Sequence, residues 1–316
     1  MRYAMINDNE NIRTTKGSSK MAEGIALQRL AESQLPEDIR IFCDQYATYF
    51  INRHVLEWAK EHPIEAKVMA EEYERKMPGW SNSIRARIRY FDDIIQNAAT
   101  DGFRQLVILG AGYDTRAYRI DSLKNGIKVF EVDNLSTIKR KKEIVKEIFG
   151  KFPSHVTFVP FDLEDGNLWE QMKTAGYSPD LKTLFILEGL LMYLSYDAVS
   201  NLFSGIARNS CEKSLVLFDF IPKSLADGTS DSEGGDNIRQ CTAAAGEPLL
   251  SGFADGEVQI FLSELGFSNV KVIHSGLYRE MYYNGKNTER LVSSLLFMAS
   301  ASVGNYSEFE KEEACE

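Results

Sequence analysis

Cysteine and histidine are scarce, with four of each in 316 residues. Cys43, Cys211, Cys241 and Cys315 are scattered without a Cys-x-x-Cys pair, which argues against a disulfide framework and a thiolate metal site. His54 and His62 lie eight apart rather than the four that would stack two ligands in one helical turn, so neither a zinc nor a magnesium site is expected. Long hydrophobic runs are also missing. The best candidate, Leu184 to Leu194, is too short to span a bilayer and carries Glu188. The opening Met1-Arg2-Tyr3-Ala4-Met5-Ile6 turns polar at Asn7-Asp8-Asn9 before a signal-peptide core could form. A reduced, cytoplasmic protein without membrane contact is the expectation. Positive charge is in deficit: 36 Lys and Arg against 46 Asp and Glu leave a net charge of −10, which repels an extended phosphate backbone. The one basic run, Lys139-Arg140-Lys141-Lys142, reads as a solvated helix face, and no nucleic-acid partner is expected. No internal repeat is present.

What is there suits a large folded core, with 44% hydrophobic and 26% charged residues. Apolar residues recur at helical spacing through Ile25 to Leu30, Tyr46 to Trp58, Ala66 to Met77 and Ile84 to Ile95. Pro36, Pro63 and Pro78-Gly79 punctuate these helices. Beyond Gly102 short β-rich runs alternate with amphipathic helices, the pattern of a parallel sheet. The strands expected are Gln105–Leu109, Lys128–Val132, Val156–Phe161, Thr183–Leu187, Leu215–Ile221, Val270–Ile273 and Leu291–Ala299. Helices are expected over Asp197–Arg208 and Asp255–Leu265, the second closed by Gly266, and after Asp133 with an apolar stripe from Leu135 to Phe149. This gives an α/β chain with a seven-stranded, mostly parallel sheet. A helical cap would occupy 1–101 and a nucleotide-handling domain 102–316. An insertion at 222–254, rich in Gly, Ser and Asp, would be a disordered loop or a substrate lid. The acidic tail from Glu308 to Glu316 is expected to fray.

The most informative stretch is Leu106-Val107-Ile108-Leu109-Gly110-Ala111-Gly112, an apolar strand entering a glycine turn. Gly110 and Gly112 let the chain turn sharply and let a ligand lie against the backbone. The following strand ends on Asp133, placed to accept the hydroxyls of a ribose. Position 115, where a dinucleotide fingerprint has its third glycine, is Thr115, which favours a ligand with a ribose but no pyrophosphate. Open parallel sheets bind ligands beyond the carboxyl ends of their strands. There four successive strands end on or beside an acid: Asp114, Asp133, Asp162 and Glu188. Clustered like charges cost stability unless a ligand rich in donors relieves them. S-adenosylmethionine suits that demand, with a ribose diol for Asp133, an adenine amine for Asp162, an ammonium group for Glu188, and a carboxylate needing a cation such as Arg85, Arg87 or Arg89.

These residues resemble the leucine carboxyl methyltransferase family, which includes protein phosphatase methyltransferases and bacterial polyketide-acid O-methyltransferases. The resemblance runs through Ala22-Glu23-Gly24-Ile25-Ala26-Leu27, Arg87-Ile88-Arg89-Tyr90-Phe91-Asp92 and Leu109-Gly110-Ala111-Gly112-Tyr113-Asp114-Thr115-Arg116. It continues through Phe130-Glu131-Val132-Asp133, Phe161-Asp162-Leu163 and Leu187-Glu188-Gly189-Leu190-Leu191-Met192-Tyr193-Leu194. It implies a Rossmann-like class I methyltransferase fold with S-adenosylmethionine as cofactor. It also implies that Arg87 grips the methionine carboxylate, Gly110 underlies the methionine portion, Asp133 holds the ribose, and Asp162 with Leu163 contacts adenine. Glu188 would face the methionine amino group and the reaction centre, Tyr193 would stand near the acceptor, and Lys20 would stand in for a cap lysine. In relatives that methylate carboxyl groups an arginine often follows the aspartate–leucine pair. This chain has Glu164 there, which would repel a carboxylate acceptor.

The expected reaction is methyl transfer to an oxygen of a small molecule or peptide, a carboxyl oxygen in the first instance because an ionised carboxylate needs no general base. A hydroxyl acceptor would require Glu188, Tyr193 or His155 to take a proton. The rival readings are a nicotinamide-dependent oxidoreductase, opposed by Thr115 and by the lack of a Tyr-x-x-x-Lys pair, and a non-catalytic module of the same fold. A hydrolase lacks its strand–Gly-x-Ser-x-Gly–helix context, and Asp219 lacks a histidine partner.

Overall fold

The computed structural model describes residues 20–164 and 168–304. Cys315, the acidic tail and the first residues of the N-terminus lie outside the described residues. The N-terminal part is helical. α1 (Lys20–Ser33) leads to α2 (Arg53–Glu61), α3 (Pro63–Lys76) and α4 (Trp80–Gln96). The stretch expected to be helical from Tyr46 to Trp58 is divided. A short 3-10 turn, Ala47–Phe50, ends at extended Ile51, and Asn52 then caps α2 by accepting from the His54 N–H. α3 opens on Pro63, whose missing N–H would be unpaired there in any case. α4 buries Ile84, Ile88, Phe91 and Ile95, four positions on one helical stripe.

From Gln105 strands and helices alternate: β1 (Gln105–Leu109), α5 (Arg116–Arg119), β2 (Lys128–Asp133), α6 (Leu135–Phe149), β3 (Val156–Pro160), α7 (Leu168–Thr174) and β4 (Thr183–Leu187). Then come α8 (Tyr196–Arg208), β5 (Leu215–Phe220), α9 (Lys223–Asp227), α10 (Gly235–Ala244), α11 (Glu257–Glu264), β6 (Phe267–Ile273), α12 (Ser275–Tyr282) and β7 (Phe297–Val303). The seven strands form one sheet in the order β3-β2-β1-β4-β5-β7-β6. β1 to β5 run parallel, and β7 runs antiparallel between β5 and β6. The chain reverses its direction of travel across the sheet beside β1, so the switch point lies between β1 and β4.

Alternation along the central strands feeds two cores. Val107, Leu109, Phe185 and Leu187 pack on one face with α8 and α11, while Leu106, Ile108, Leu184 and Ile186 pack on the other with α4. Both faces are apolar, as a parallel sheet covered on both sides requires.

The last two strands depart from expectation. β7 begins at Phe297 rather than Leu291. In the preceding apolar run, Ser293 N–H turns to the Gly79 carbonyl and Ser83 Oγ, and Leu295 and Leu296 pack with Met77, Met192 and Ile221. β6 begins three residues early, at Phe267, and its pairing slips between Ser268 and Lys271, where Asn269 has φ 54°. Gly266 does close α11 with a left-handed φ of 82°. The 222–254 segment, open between loop and lid on sequence grounds, holds α9 and α10. The basic run is not wholly solvated either: Lys139 and Arg140 are exposed, but Lys141 is completely buried. No described helix is long and apolar enough to cross a membrane.

Candidate active site

Gly110 and Gly112 stand just past β1 with φ of 65° and 42°, the left-handed region that glycine enters without strain. At Gly110 a Cβ would come within 2.8 Å of the Leu190 side chain, so the turn also needs glycine for space. Asp133 ends β2 directly beside it. Its Oδ2 accepts the Gly112 N–H at 2.7 Å and its Oδ1 accepts the Asn134 N–H at 2.7 Å. Burial pushes the Asp133 carboxyl above its ordinary value, although these N–H groups and Lys141 oppose the shift. Oδ1 also accepts the Asn134 side-chain amide at 3.0 Å, so it is Oδ2 that keeps a lone pair for a further donor.

Past β3, Asp162 accepts the Glu164 N–H at 3.1 Å, so it does start a turn as well as reaching the cavity. Past β4 comes Glu188, held by two arginines. Arg87 Nε reaches Glu188 Oε1 at 3.0 Å, and Arg116 NH1 binds Oε2. Arg87 continues to Asp219 at 2.8 Å, which in turn accepts the Gly189 N–H at 2.6 Å. Arg116 continues to Asp114 at 2.5 Å and to Asp92 at 2.7 Å. The result is a buried chain of alternating charge, Asp219–Arg87–Glu188–Arg116–Asp114, which satisfies every member. Burial would raise the Asp114 carboxyl, but Arg116 and Lys141 hold it down at about 2.

Arg87, Gly110, Gly112, Asp133, Asp162, Leu163, Glu188 and Tyr193 all line a single cavity of about 570 Å³, together with Lys20. Of the three arginines offered by α4, only Arg87 reaches it. Arg85 turns to Gln28 and Glu32, and Arg89 to Asp93 and the Ile41 carbonyl. His155 is bonded to the Ala117 carbonyl and does not line the cavity.

Sheet order divides the cavity. Residues after β1, β2 and β3 line one end. Residues after β4 and β5 line the other, where Met192, Tyr193, Ile221 and Leu296 meet Ile238, Thr242, Glu247 and Leu249 of the 222–254 segment. That segment is tied down at both ends. The Lys223 N–H donates to the Phe253 carbonyl and the Phe253 N–H to the Ile221 carbonyl, and Leu250 N–H and Ser251 Oγ reach the Met192 and Leu191 carbonyls at 2.7 Å. Burial, reinforced by Glu247, pushes the Tyr193 phenol well above its ordinary range, which keeps it protonated.

Glu164 does not face this cavity. Its two oxygens accept the Ser195 N–H and hydroxyl at 3.1 and 3.2 Å, at the start of α8. The expectation that Glu164 would meet a carboxylate acceptor is not met by its position, since its side chain turns to Ser195 and away from the cavity lining. Sequence reasoning missed Arg116, although it lies in the quoted glycine-turn motif, and gave Asp219 no role. Glu247 carries no local signal at all.

The profile of the leucine carboxyl methyltransferase family matches residues 22–207, more than half of the chain. YktD of Bacillus subtilis, provisionally named an S-adenosyl-L-methionine-dependent methyltransferase, is 31% identical over 181 residues, 57% of this chain and 59% of that protein. A Mycolicibacterium smegmatis protein with the same provisional assignment is 30% identical over 223 residues, 68% of this chain and 71% of its own length. In structure, a provisionally named methyltransferase from Thermobifida fusca superposes with a TM-score of 0.54 at 16% identity, covering 76% of this chain and 88% of that one. The last of these speaks for the fold alone. The matched segment contains the glycine turn, Asp133, Asp162, Glu188 and the cavity arginines Arg29, Arg87 and Arg116, and this chain belongs to the leucine carboxyl methyltransferase family, a family of S-adenosylmethionine-dependent enzymes.

Proposed function

We propose that this chain methylates an oxygen of an apolar small molecule or peptide, a carboxyl oxygen in the first reading, with S-adenosylmethionine as donor. The donor set supports that cofactor. Asp133 and Asp162 suit a ribose diol and an adenine amine, with Leu163 against the ring, while Glu188 suits an ammonium and Arg87 a carboxylate. Bound there, S-adenosylmethionine would supply an electrophilic methyl group on a sulfonium centre. The protein's own part is to hold the acceptor oxygen in line and exclude water, for which the apolar walls and the tied 222–254 segment are suited. We assign Glu188 as a fixed anion at the reaction centre rather than a base, because both its oxygens are taken by arginines. Tyr193 would donate to the acceptor and orient it.

The observation that carries the carboxyl reading is the lack of a poised base among the described residues. Tyr193 is held protonated, Glu188 is bridged, and no histidine lines the cavity. An ionised carboxylate needs none. One observation favours a hydroxyl acceptor instead: among the described residues, Glu247 is the charged side chain contributed to the cavity by the 222–254 segment, and it could take a proton. The two readings separate cleanly. Labelled cofactor is offered to a panel of apolar acids and phenols, and the product is treated with mild base. A methyl ester releases methanol and an ether does not. With a carboxyl acceptor Glu247→Gln leaves kcat/KM unchanged or raises it, since one repulsive charge is gone. With a hydroxyl acceptor the same change lowers kcat at least tenfold. Transfer to no member of the panel would sink both.

A further inference from the structure

Under the glycine turn sits a charged side chain that does not itself line the cavity. Lys141 of α6 is fully buried, and its Nζ lies 2.9 Å from Glu131 Oε2. The Tyr118 hydroxyl donates to the same oxygen at 3.0 Å. Burying a lysine is costly, and an ion pair in an interior is no more stabilising than a well-packed apolar pair. Stability alone gives a poor account of this cluster, the more so because Glu131 Oε1 has no hydrogen-bond partner among the described residues.

A third contact supplies another account. Lys141 Nζ also donates to the Ala111 carbonyl at 3.2 Å, which accepts the Asp114 N–H at 2.8 Å as well. The Ala111 carbonyl and the Gly112 N–H belong to one peptide plane and point in opposite directions. The N–H end of that plane is what Asp133 Oδ2 accepts at 2.7 Å. That plane turns about ψ of Ala111 and φ of Gly112, and glycine at 112 widens its range, so the contacts at its two ends set its tilt. Lys141 grips one end and Asp133 the other, and the ammonium polarises the peptide towards the carboxylate.

We propose that Lys141 is a positioning residue for the cofactor: it fixes the Ala111–Gly112 peptide plane and, through the Gly112 N–H, the orientation of Asp133. This rests on the assignment of Asp133 as the ribose-binding carboxylate. Lys141 lies close enough to oppose the upward shift of the Asp133 carboxyl, in keeping with that role.

The test is calorimetric titration of S-adenosylhomocysteine, with melting temperature measured in parallel. Lys141→Met is made together with Glu131→Gln, so that no unpaired carboxylate is left buried. The expected result is a protein that melts near the wild type but binds at least tenfold more weakly. Adding Asp133→Ala to that double variant should cost much less than it costs the wild type, because Lys141 acts through Asp133. Glu131→Gln alone, which leaves the Lys141–Ala111 contact, should lower the melting temperature with affinity kept within about twofold. It serves as the deciding variant should the double one not fold. Wild-type affinity in the double variant, multiplicative losses with Asp133→Ala, or a tenfold loss from Glu131→Gln alone would overturn the proposal. A wild type that does not bind at all would instead overturn the cofactor site, which keeps the two failures apart.

Discussion

Asp133 concentrates the cofactor site in one carboxylate. It is largely buried at the end of β2, holds two backbone N–H groups, and still faces the cavity. Asp133→Ala should weaken S-adenosylhomocysteine at least tenfold, about 1.4 kcal/mol or more. Titration calorimetry that found unchanged affinity would refute the assignment. Asp114 makes a prediction about acid instead. Its folded pKa of about 2 lies below the ordinary 3.8, so the folded state binds fewer protons than the unfolded one. Its contribution is therefore complete above about pH 4 and is lost as pH falls towards 2. A urea midpoint measured across that range should drop, and Asp114→Asn should flatten the drop. The residues legible in the sequence were those at strand ends, where an acid follows an apolar run. Arg116 and Asp219 escaped because their meaning lies in partners far along the chain. Arg87 meets Asp219 across 132 positions and Arg116 meets Glu188 across 72. No periodicity encodes such pairs.

The glycine turn and the 222–254 segment behave differently as elements. The turn is tight: Gly110→Ala forces a side chain into the left-handed region and against Leu190. The strain alone costs roughly 1–2 kcal/mol. A melting temperature equal to that of the wild type would show that the turn yields more easily than its geometry implies. The 222–254 segment lines the far end of the cavity, with its returning stretch pinned to the carbonyls of Leu191 and Met192, next to Tyr193, and we propose that it serves as a lid. Ser251→Ala removes one pin. The expected outcome is a several-fold rise in KM for the acceptor with cofactor affinity unaltered, whereas equal changes in both would argue against a lid over the acceptor end alone. Strands β1 and β4 could be read to the residue, because continuous apolar runs ended by glycine or an acid leave little choice. The start of β7 could not. Leu295 and Leu296 are as apolar as a strand but serve the core beneath the lid, and hydrophobicity does not say which neighbour it is for.

Across the whole molecule, we propose a cap at 1–101 and a catalytic unit at 102–316 that are distinct in sequence pattern but not in stability. α4 lies in the same core as β1, β4 and β5: Ile84, Ile88, Phe91 and Ile95 pack with Leu106, Ile108, Leu184 and Leu217. Ion pairs from Arg116 to Asp92 and from Arg87 to Asp219 cross the same boundary. Differential scanning calorimetry should therefore show one transition whose van't Hoff and calorimetric enthalpies agree. Saturation with S-adenosylhomocysteine at a hundred times its Kd should move it up by about 2.7 kcal/mol of stability, and NAD should not move it. Two resolved transitions would sever cap from sheet. The charge chain that begins on α4 and ends on β5 also bears on how such enzymes can diversify. A chimera taking its first hundred residues from one relative and its strands from another would inherit half of a matched set of charges. Acceptor preference can be exchanged by grafting only if arginine and carboxylate travel together.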